Sequence, residues 1–216
     1  MKISEAKKAG GKKYKAKIKK IIADYRNLPA EKKHQLHIYY GYGKGKTTAA
    51  IGLIIRALGA GKKVALVQFD KGYDVDEHYN EGVILKKLRK LAYPLDLYST
   101  GCERMNEDTT FRFKNAEEDF KEAQRALKIS RDLIIKGKQD LLILDEIIAA
   151  AVYHLIKEKD VLDTIDLYEE NRRFELVMTG HKLFDGLEER AGLITEMKKV
   201  KHYFDEGIQA REGIEY

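Results

Sequence analysis

The chain has 216 residues, 44% hydrophobic and 35% charged, which suits one globular domain with a buried core and a well-solvated surface. It contains no apolar run near the ~18 residues that a membrane helix needs, and residues 1–30 contain no apolar signal segment. The single cysteine, Cys102, excludes an internal disulfide and favours a reducing compartment. We therefore expect a cytoplasmic protein with no membrane partner.

The net charge of +6 is unevenly distributed. Residues 1–34 contain twelve Lys or Arg and three Asp or Glu, so +6 less +9 leaves −3 for residues 35–216. We predict a basic N-terminal arm, 1–34, and a slightly acidic domain, 35–216. The arm is either a solvated, partly helical extension, as such lysine runs usually are, or a contact for nucleic acid, anionic membrane or another polyanion. Because the domain is acidic, we expect no nucleic-acid partner.

Apolar runs and helical periodicity predict alternating strands and helices along residues 35–216. Several of the apolar runs lack apolar–polar alternation, which is typical of strands that are buried on both faces of a parallel sheet. This order predicts an α/β fold with a mainly parallel sheet between helices. The elements in chain order are strand 36–40, helix 48–58, strand 64–69, helix 81–91, a weaker strand 95–99, helix 116–136, strand 141–144, helix 158–170, strand 174–178, helix 182–190 and a weaker strand 192–197.

The helix 116–136 has the clearest boundaries in the sequence. Asn115 is its predicted N-cap, and Glu118 is placed to complete a capping box. Gly137 is the predicted end of the helix.

The stretch GYGKGKTT, residues 41–48, lies between the first predicted strand and the first predicted helix. A glycine-rich turn at a helix N-terminus lets backbone N–H groups converge on an anion. Lys46 can then reach phosphates, and Thr47 can hold Mg²⁺. Tyr40 stands where the common motif has its first glycine, and the alternative is a tight lysine-rich turn. The predicted nucleotide-binding residues of this loop are Gly41, Tyr42, Gly43, Lys44, Gly45, Lys46, Thr47 and Thr48.

The apolar strand 141–144 is followed by Asp145 and Glu146. At the carboxyl edge of a parallel sheet these carboxylates would lie beside the loop, where they could coordinate Mg²⁺ or order a metal-bound water. The alternative is an acidic pair that caps the next helix. We predict Thr47, Asp145 and Glu146 as metal ligands, with Mn²⁺ as a substitute ion. A nucleoside triphosphate with magnesium is the expected ligand, but these motifs do not say which of its bonds is broken.

Four separated stretches then resemble one family, in the same order. The chain resembles the P-loop type of ATP:corrinoid adenosyltransferases over about residues 35–216. That family also lacks the leading glycine of the loop, so Tyr40 agrees with the resemblance. The stretches are GYGKGKTTAAIGLIIRALGAGKKVALVQFDKG (41–72), LLILDEIIAA (141–150), ELVMTGH (175–181) and TEMKKVKHYFDEGIQAREGIEY (195–216).

The resemblance implies a RecA-like α/β sandwich that forms a homodimer. It also implies transfer of the 5′-deoxyadenosyl group of ATP to the cobalt of a reduced corrinoid, with triphosphate as the leaving group. An electron donor such as a flavodoxin-like protein would supply Co(I), which is nucleophilic enough to need no general base. Lys44 and Lys46 are the predicted catalytic residues, because their charges, with Mg²⁺, would stabilise the departing triphosphate.

Two features depart from the family pattern. His181 stands where the family has an arginine that helps to hold ATP, and a neutral imidazole cannot make the same charged, bidentate contact. His181 is therefore either a nucleotide-binding residue or an ordinary loop residue, and Lys182 or Arg190 could substitute for the arginine. The second departure is the absence of tryptophan, because the family commonly presents an aromatic pair that includes one to the corrinoid.

Few other side chains suggest themselves for the corrinoid face. Met105, Phe111 and Phe113 are the available apolar groups, and they suit a hydrophobic core equally well. Glu77 and His78 follow the second predicted strand and are either surface residues or part of the cleft.

Two further function classes remain open. One is a P-loop ATPase or ATP-dependent switch with a nucleic-acid or protein partner. The other is a binding module that keeps ATP or corrinoid but has lost transfer, as His181 could indicate. The C-terminal stretch 195–216 favours the adenosyltransferase.

Overall fold

The computed structural model describes residues 11–72, 79–104, 112 and 114–215. The chain divides into two compact units, Met1–His34 and Gln35–Tyr216. In the first unit, α1 spans Gly11–Arg26 and α2 spans Ala30–Lys33. None of the described helices is long and apolar enough to cross a membrane. The candidate residues Glu77, His78, Met105, Phe111 and Phe113 lie outside the described residues.

The second unit is built on a six-stranded sheet. Its strands are β1 Leu36–Tyr40, β2 Val64–Gln68, β3 Leu95–Ser99, β4 Leu141–Asp145, β5 Glu175–Gly180 and β6 Leu193–Glu196. Every pair in this sheet is parallel, and the order is β3-β2-β4-β5-β1-β6. All the predicted strands, including the two weaker ones, are confirmed. Because the strands are parallel, their carboxyl ends meet at one edge, where the site is expected.

The helices of the second unit are α3 Lys46–Gly59, α4 Asn80–Lys90, α5 Glu117–Lys136, α6 Ile147–Val152 and α7 Glu158–Glu170, with a 3₁₀ helix at Tyr203–Glu206. The predictions for α3, α4, α5 and α7 are confirmed to within two residues, whereas α6 was missed. The helix predicted at 182–190 is wrong, because this segment forms turns. Gly186, in its middle, has a φ of +89°, which interrupts a right-handed helix.

The N-terminus of α5 differs from the predicted cap. Ala116 takes the N-cap position, and Oδ2 of Asp119 accepts a hydrogen bond from the Ala116 backbone N–H at 2.7 Å, so Glu118 is not the capping partner. Asn115 donates its side-chain amide to the carbonyl of Tyr153 at 2.9 Å instead. The predicted end at Gly137 is confirmed by its left-handed backbone, with φ +55°.

Two apolar layers cover the two faces of the sheet. They explain why the central strands are apolar at successive positions, without apolar–polar alternation. Ala65 and Val67 of β2 pack in the layer formed with α5, α6 and α7, whereas Val64 and Leu66 pack in the layer with α3 and α4. Since both faces of the central strands are buried, neither face needs polar residues. The second unit thus forms a sandwich of helices, sheet and helices, in which the carboxyl edge of the sheet remains available for a functional site.

Candidate active site

The glycine loop is shaped both by its own dihedrals and by a neighbouring segment. It joins β1 to α3, and Gly41 and Gly45 have φ values of +118° and +114°, which favour glycine. Gly43 is required for another reason, because a Cβ there would lie 2.4 Å from the carbonyl oxygen of Met197. The Gly43 N–H donates to that oxygen at 2.7 Å. The segment after β6 therefore holds the loop in place.

Lys46, the first residue of α3, points back into the loop. Its side chain is buried, and Nζ donates to the carbonyl oxygens of Gly41 at 2.8 Å and Gly43 at 3.1 Å. Burial lowers the pKa of Lys46, while the charges of Glu146 and Asp145 act in the opposite direction. The ammonium therefore lies where an anion held by the loop would offer it stronger acceptors than carbonyl groups.

Asp145 is surrounded by donors from three other parts of the chain. Thr47 Oγ1 donates to both carboxylate oxygens at 3.2 Å, and Thr179 Oγ1 donates to Oδ1 at 2.7 Å. Lys71 Nζ donates to Oδ2 at 2.8 Å. Only 1% of Asp145 is exposed, so this charge depends on its partners. The structure thus brings the predicted residues Thr47 and Asp145 together, across 98 positions of sequence.

Glu146 follows Asp145 and lines the cavities that adjoin this cluster of Asp145 and its donors. Its backbone is left-handed, with φ +62°, and its N–H donates to Thr179 Oγ1 at 2.8 Å. Its Oε2 is buried and accepts no hydrogen bond from any residue that the structure describes. Burial, followed by the charge of Asp145, raises the pKa of Glu146, although Lys71 and Lys46 partly oppose this. A buried acceptor without a donor suits a cation.

Two cavities adjoin at Glu146. The first, of about 380 Å³, lies over the loop and the start of α3, and it includes the predicted residues Lys44, Gly45, Lys46, Thr47 and Thr48. The second, of about 330 Å³, shares Lys71, Tyr79 and Glu146 with the first. Four of its remaining lining residues are apolar and four are polar. The apolar ones are Phe69, Ala149, Ala150 and Leu155, and the polar ones are Asp70, Arg104, Tyr153 and His181. The first cavity, which lies over the loop, thus suits phosphates, and the second, which has both apolar and polar walls, suits an adjoining organic group.

Lys44 is engaged by the C-terminal tail. Its Nζ donates to the carbonyl oxygen of Ile214 at 2.8 Å and to Oε1 of Glu215 at 2.6 Å. The Tyr203 hydroxyl also donates to Glu215. The hydrogen bond to Glu215 raises the pKa of Lys44. Ile214 and Glu215 line the first cavity, so the tail forms part of the site and holds a predicted catalytic residue.

His181 lies in an aromatic group rather than in an ionic one. Its ring stacks on Tyr42, with centroids 5.8 Å apart, and Nδ1 lies 3.2 Å from the hydroxyl of Tyr153. Burial lowers the pKa of His181, and the charges of Lys46 and Lys71 lower it further. We therefore assign it a neutral imidazole near neutral pH.

Neither proposed substitute for the family arginine lines these cavities. Arg190 forms an ion pair with Asp166 of α7, outside the site. The structure therefore gives no support to Arg190 as a replacement for the arginine, because its guanidinium pairs with Asp166 instead. Lys182 follows His181 in sequence but contributes to neither cavity wall.

Three parts of the site were not predicted from the sequence, namely Lys71, Thr179 and the tail contact of Lys44. Lys71 follows β2, which pairs with β4, so sheet order brings it to Asp145. Thr179 is the penultimate residue of β5, which lies between β1 and β4. Lys71 and Thr179 both lie in stretches that resemble the family. Their contacts with Asp145 could be predicted only once the order of the strands in the sheet was known.

Comparison with known proteins agrees with this geometry. A family model described as ATP:corrinoid adenosyltransferase BtuR/CobO/CobP matches residues 32–216. The corrinoid adenosyltransferase of Pseudomonas aeruginosa is 30% identical over 199 residues, which cover 92% of this chain and 92% of that protein. That of a Sinorhizobium species is 31% identical over 206 residues, covering 94% and 88% respectively. That of Escherichia coli K12 is 29% identical over 179 residues, covering 83% and 84%.

A solved structure supports the fold class. The flagellar accessory protein FlaH from Methanocaldococcus jannaschii aligns with a TM-score of 0.51 and 17% identity, covering 75% of this chain and 70% of that one. This likeness concerns the fold alone and confirms the predicted RecA-like P-loop sandwich. The family match disfavours the ATPase or switch alternative. Because the family model spans most of the sequence, this chain belongs to the ATP:corrinoid adenosyltransferase family.

Proposed function

We propose that this chain transfers the 5′-deoxyadenosyl group of ATP to the cobalt of a reduced corrinoid, with the loop 41–48 holding the triphosphate. The observation that supports this assignment is the cavity over the loop, lined by Lys44, Lys46 and Thr47, which shares Lys71, Tyr79 and Glu146 with a second cavity. The substrate cobalt supplies an electron pair to C5′ and forms the Co–C bond. The C5′–O bond breaks, and triphosphate leaves with its electrons. No proton moves in this step, so no general base is needed.

The loop stabilises the leaving group in this proposal. Triphosphate gains negative charge as the C5′–O bond breaks, and Lys46 together with the N–H groups at the start of α3 is placed to receive that charge. The carbonyl groups that now accept from Lys46 are weaker partners than phosphate oxygens. Lys44 can join only if its ammonium leaves Glu215.

We further propose that Mg²⁺, or Mn²⁺ in its place, binds at Thr47, Asp145 and Glu146. The hydroxyl of Thr47 lies 3.2 Å from both carboxylate oxygens of Asp145, and Glu146 Oε2 is buried without a donor among the described residues. Hard oxygen ligands of this kind suit Mg²⁺, with phosphate and water oxygens as further ligands. When bound, the ion would neutralise developing charge on the triphosphate. Thr179 would hold both carboxylate residues in position.

We propose that Tyr42, Thr48 and His181 contact the nucleotide through rings and hydroxyls rather than through fixed charge. Thr48 lines the first cavity and His181 lines the second. The stacked ring of Tyr42, which is 72% exposed, extends this surface. A neutral His181 can stack or donate a hydrogen bond, but it cannot replace a guanidinium.

The family resemblance further leads us to propose a homodimer and a flavodoxin-like electron donor. The single cysteine and the charge distribution lead us to propose a cytoplasmic location, without nucleic-acid or membrane partners. We also propose that the basic arm, 1–34, is separate from the catalytic domain, 35–216. The family match, which begins at residue 32, supports that division.

One assay tests the proposed reaction directly. The chain is incubated with ATP, Mg²⁺ and chemically reduced corrinoid, and the products are separated by chromatography. We expect adenosylcorrinoid and inorganic triphosphate in equal amounts, with neither product from Lys46→Ala. A phosphoryl-transferring enzyme with the same loop would release ADP. Accumulation of ADP with or without corrinoid would refute the transferase reading.

A further inference from the structure

Lys71 places an ammonium group between two predicted metal ligands. Its side chain is 11% exposed, and Nζ lies 2.8 Å from Thr47 Oγ1 and 2.8 Å from Asp145 Oδ2. The ring of Tyr79 lies 5.2 Å from the same Nζ. Lys71 thus contacts the same hydroxyl and carboxylate to which the proposed function assigns a divalent cation.

The charges around Lys71 balance in the described structure. Lys46 and Lys71 contribute two positive charges, and Asp145 and Glu146 contribute two negative charges when ionised. Lys71 and Asp145 form an ion pair, so the ammonium compensates a carboxylate that solvent barely reaches.

We propose that Lys71 is a built-in cation, which occupies the divalent-cation position in the nucleotide-free chain and moves away when metal and triphosphate bind. This inference rests on the proposed function, which assigns the metal to Thr47 and Asp145. Mg²⁺ binds oxygen at about 2.0–2.1 Å, so an ion held by both oxygens would lie close to the ammonium, and the repulsion between the two cations favours departure of Lys71. The displaced side chain has space, because it borders both cavities. Lys71 is thus a positioning residue. When the metal binds, the Lys71 ammonium is released from Asp145 and can lie beside the triphosphate.

Metal binding without nucleotide tests the competition. Mn²⁺ binding is measured by electron paramagnetic resonance for the unaltered chain, for Lys71→Met and for the control Lys62→Met. Lys62 is a surface lysine, 55% exposed, that pairs with Asp140. Removing the competing charge at 71 should tighten Mn²⁺ binding about tenfold or more, whereas the control should bind like the unaltered chain. Equal or absent Mn²⁺ binding in all three proteins would overturn the inference.

A second measurement avoids any substitution at Lys71, in case the methionine variant folds poorly. The unaltered chain is treated with an amine-acylating reagent, with and without Mn²⁺, and each lysine is quantified by mass spectrometry. Labelling of Lys71 should rise when Mn²⁺ is added, because the displaced ammonium enters the cavities. Labelling of Lys62 should stay constant and provides the internal reference. Unchanged labelling of Lys71 at saturating Mn²⁺ would contradict the displacement.

These results are independent of the reaction assay. If the chain forms adenosylcorrinoid and triphosphate while Mn²⁺ leaves Lys71 labelling unchanged, this inference fails and the proposed function stands. If Mn²⁺ displaces Lys71 but no triphosphate forms, the competition stands and the proposed reaction fails.

Discussion

Replacing Thr179 with valine should destabilise the fold and displace both acidic residues of the site. Thr179 is fully buried, and its hydroxyl donates to Asp145 Oδ1 at 2.7 Å while accepting from the N–H of Glu146 at 2.8 Å. Valine has a similar shape but can form neither bond. The left-handed backbone of Glu146 would also lose a contact that fixes it.

The cost follows from the two lost hydrogen bonds. A hydrogen bond to a charged group contributes about 1.5–3 kcal/mol, and a buried N–H left without an acceptor costs about 1–3 kcal/mol. Asp145 keeps Lys71 and Thr47 as partners, so the loss of its hydrogen bond to Thr179 costs less than the full amount for a bond to a charged group. We therefore expect the free energy of unfolding to fall by about 2–4 kcal/mol. At about 2–4 °C per kcal/mol for a chain of this size, Tm should fall by roughly 5–15 °C.

Thermal unfolding followed by circular dichroism measures this change, with Thr179→Ser as the matched control. Serine keeps the hydroxyl and loses one methyl group, so its cost should be near that of one buried carbon, about 1 kcal/mol. In the reaction assay, the valine variant should also need more Mg²⁺ for half-maximal rate. Equal Tm values for the valine and serine variants would refute the role of the hydroxyl.

Three further substitutions test other contacts of the site. Lys46→Ala should abolish ATP binding, measured by calorimetry, with an unchanged circular dichroism spectrum; normal ATP affinity would contradict the loop assignment. Because the pKa of Glu146 is raised, the folded chain binds protons more tightly than the unfolded chain, and metal-free stability falls as pH rises through that raised pKa. Glu146→Gln should remove this fall in a series of Tm measurements from acid to neutral pH, whereas an unchanged slope would exclude Glu146 as its source. Glu215→Gln should weaken the hold on Lys44 and so tighten ATP binding; weaker binding would indicate that the tail itself contacts ATP.

Local sequence pattern predicted most of the fold because the pattern and the packing agree. Strand β2 is apolar throughout since both of its faces are buried, and α3 follows a loop whose glycines mark its start. The failure at 182–190 has the opposite cause. Leu187 is fully buried, as a core residue of a helix would be, but the backbone of Gly186 is left-handed and interrupts a helix. The local sequence is compatible with both a helix and a turn, and tertiary packing decides between them.

The same distinction applies to the candidate site. Loop residues are contiguous, so one motif located them together, and parallel-strand logic placed Asp145 beside Thr47. Lys71 and Thr179 depend on strand order, because β2 and β5 both neighbour β4. The contact between Lys44 and Glu215 joins residues 171 positions apart through an irregular tail, for which no periodic pattern exists.

Position 181 shows how the site can keep its positive charge without the arginine that the family resemblance implies. An arginine there would add a permanent cation near Lys46 and Lys71, whose charges already lower the pKa of His181. The neutral ring instead packs between Tyr42 and Tyr153. Lys71 meanwhile holds its ammonium on Asp145, where we propose that a metal displaces it. Nucleotide affinity should therefore depend on Lys46 and the divalent cation, while His181 contributes contact area and orientation.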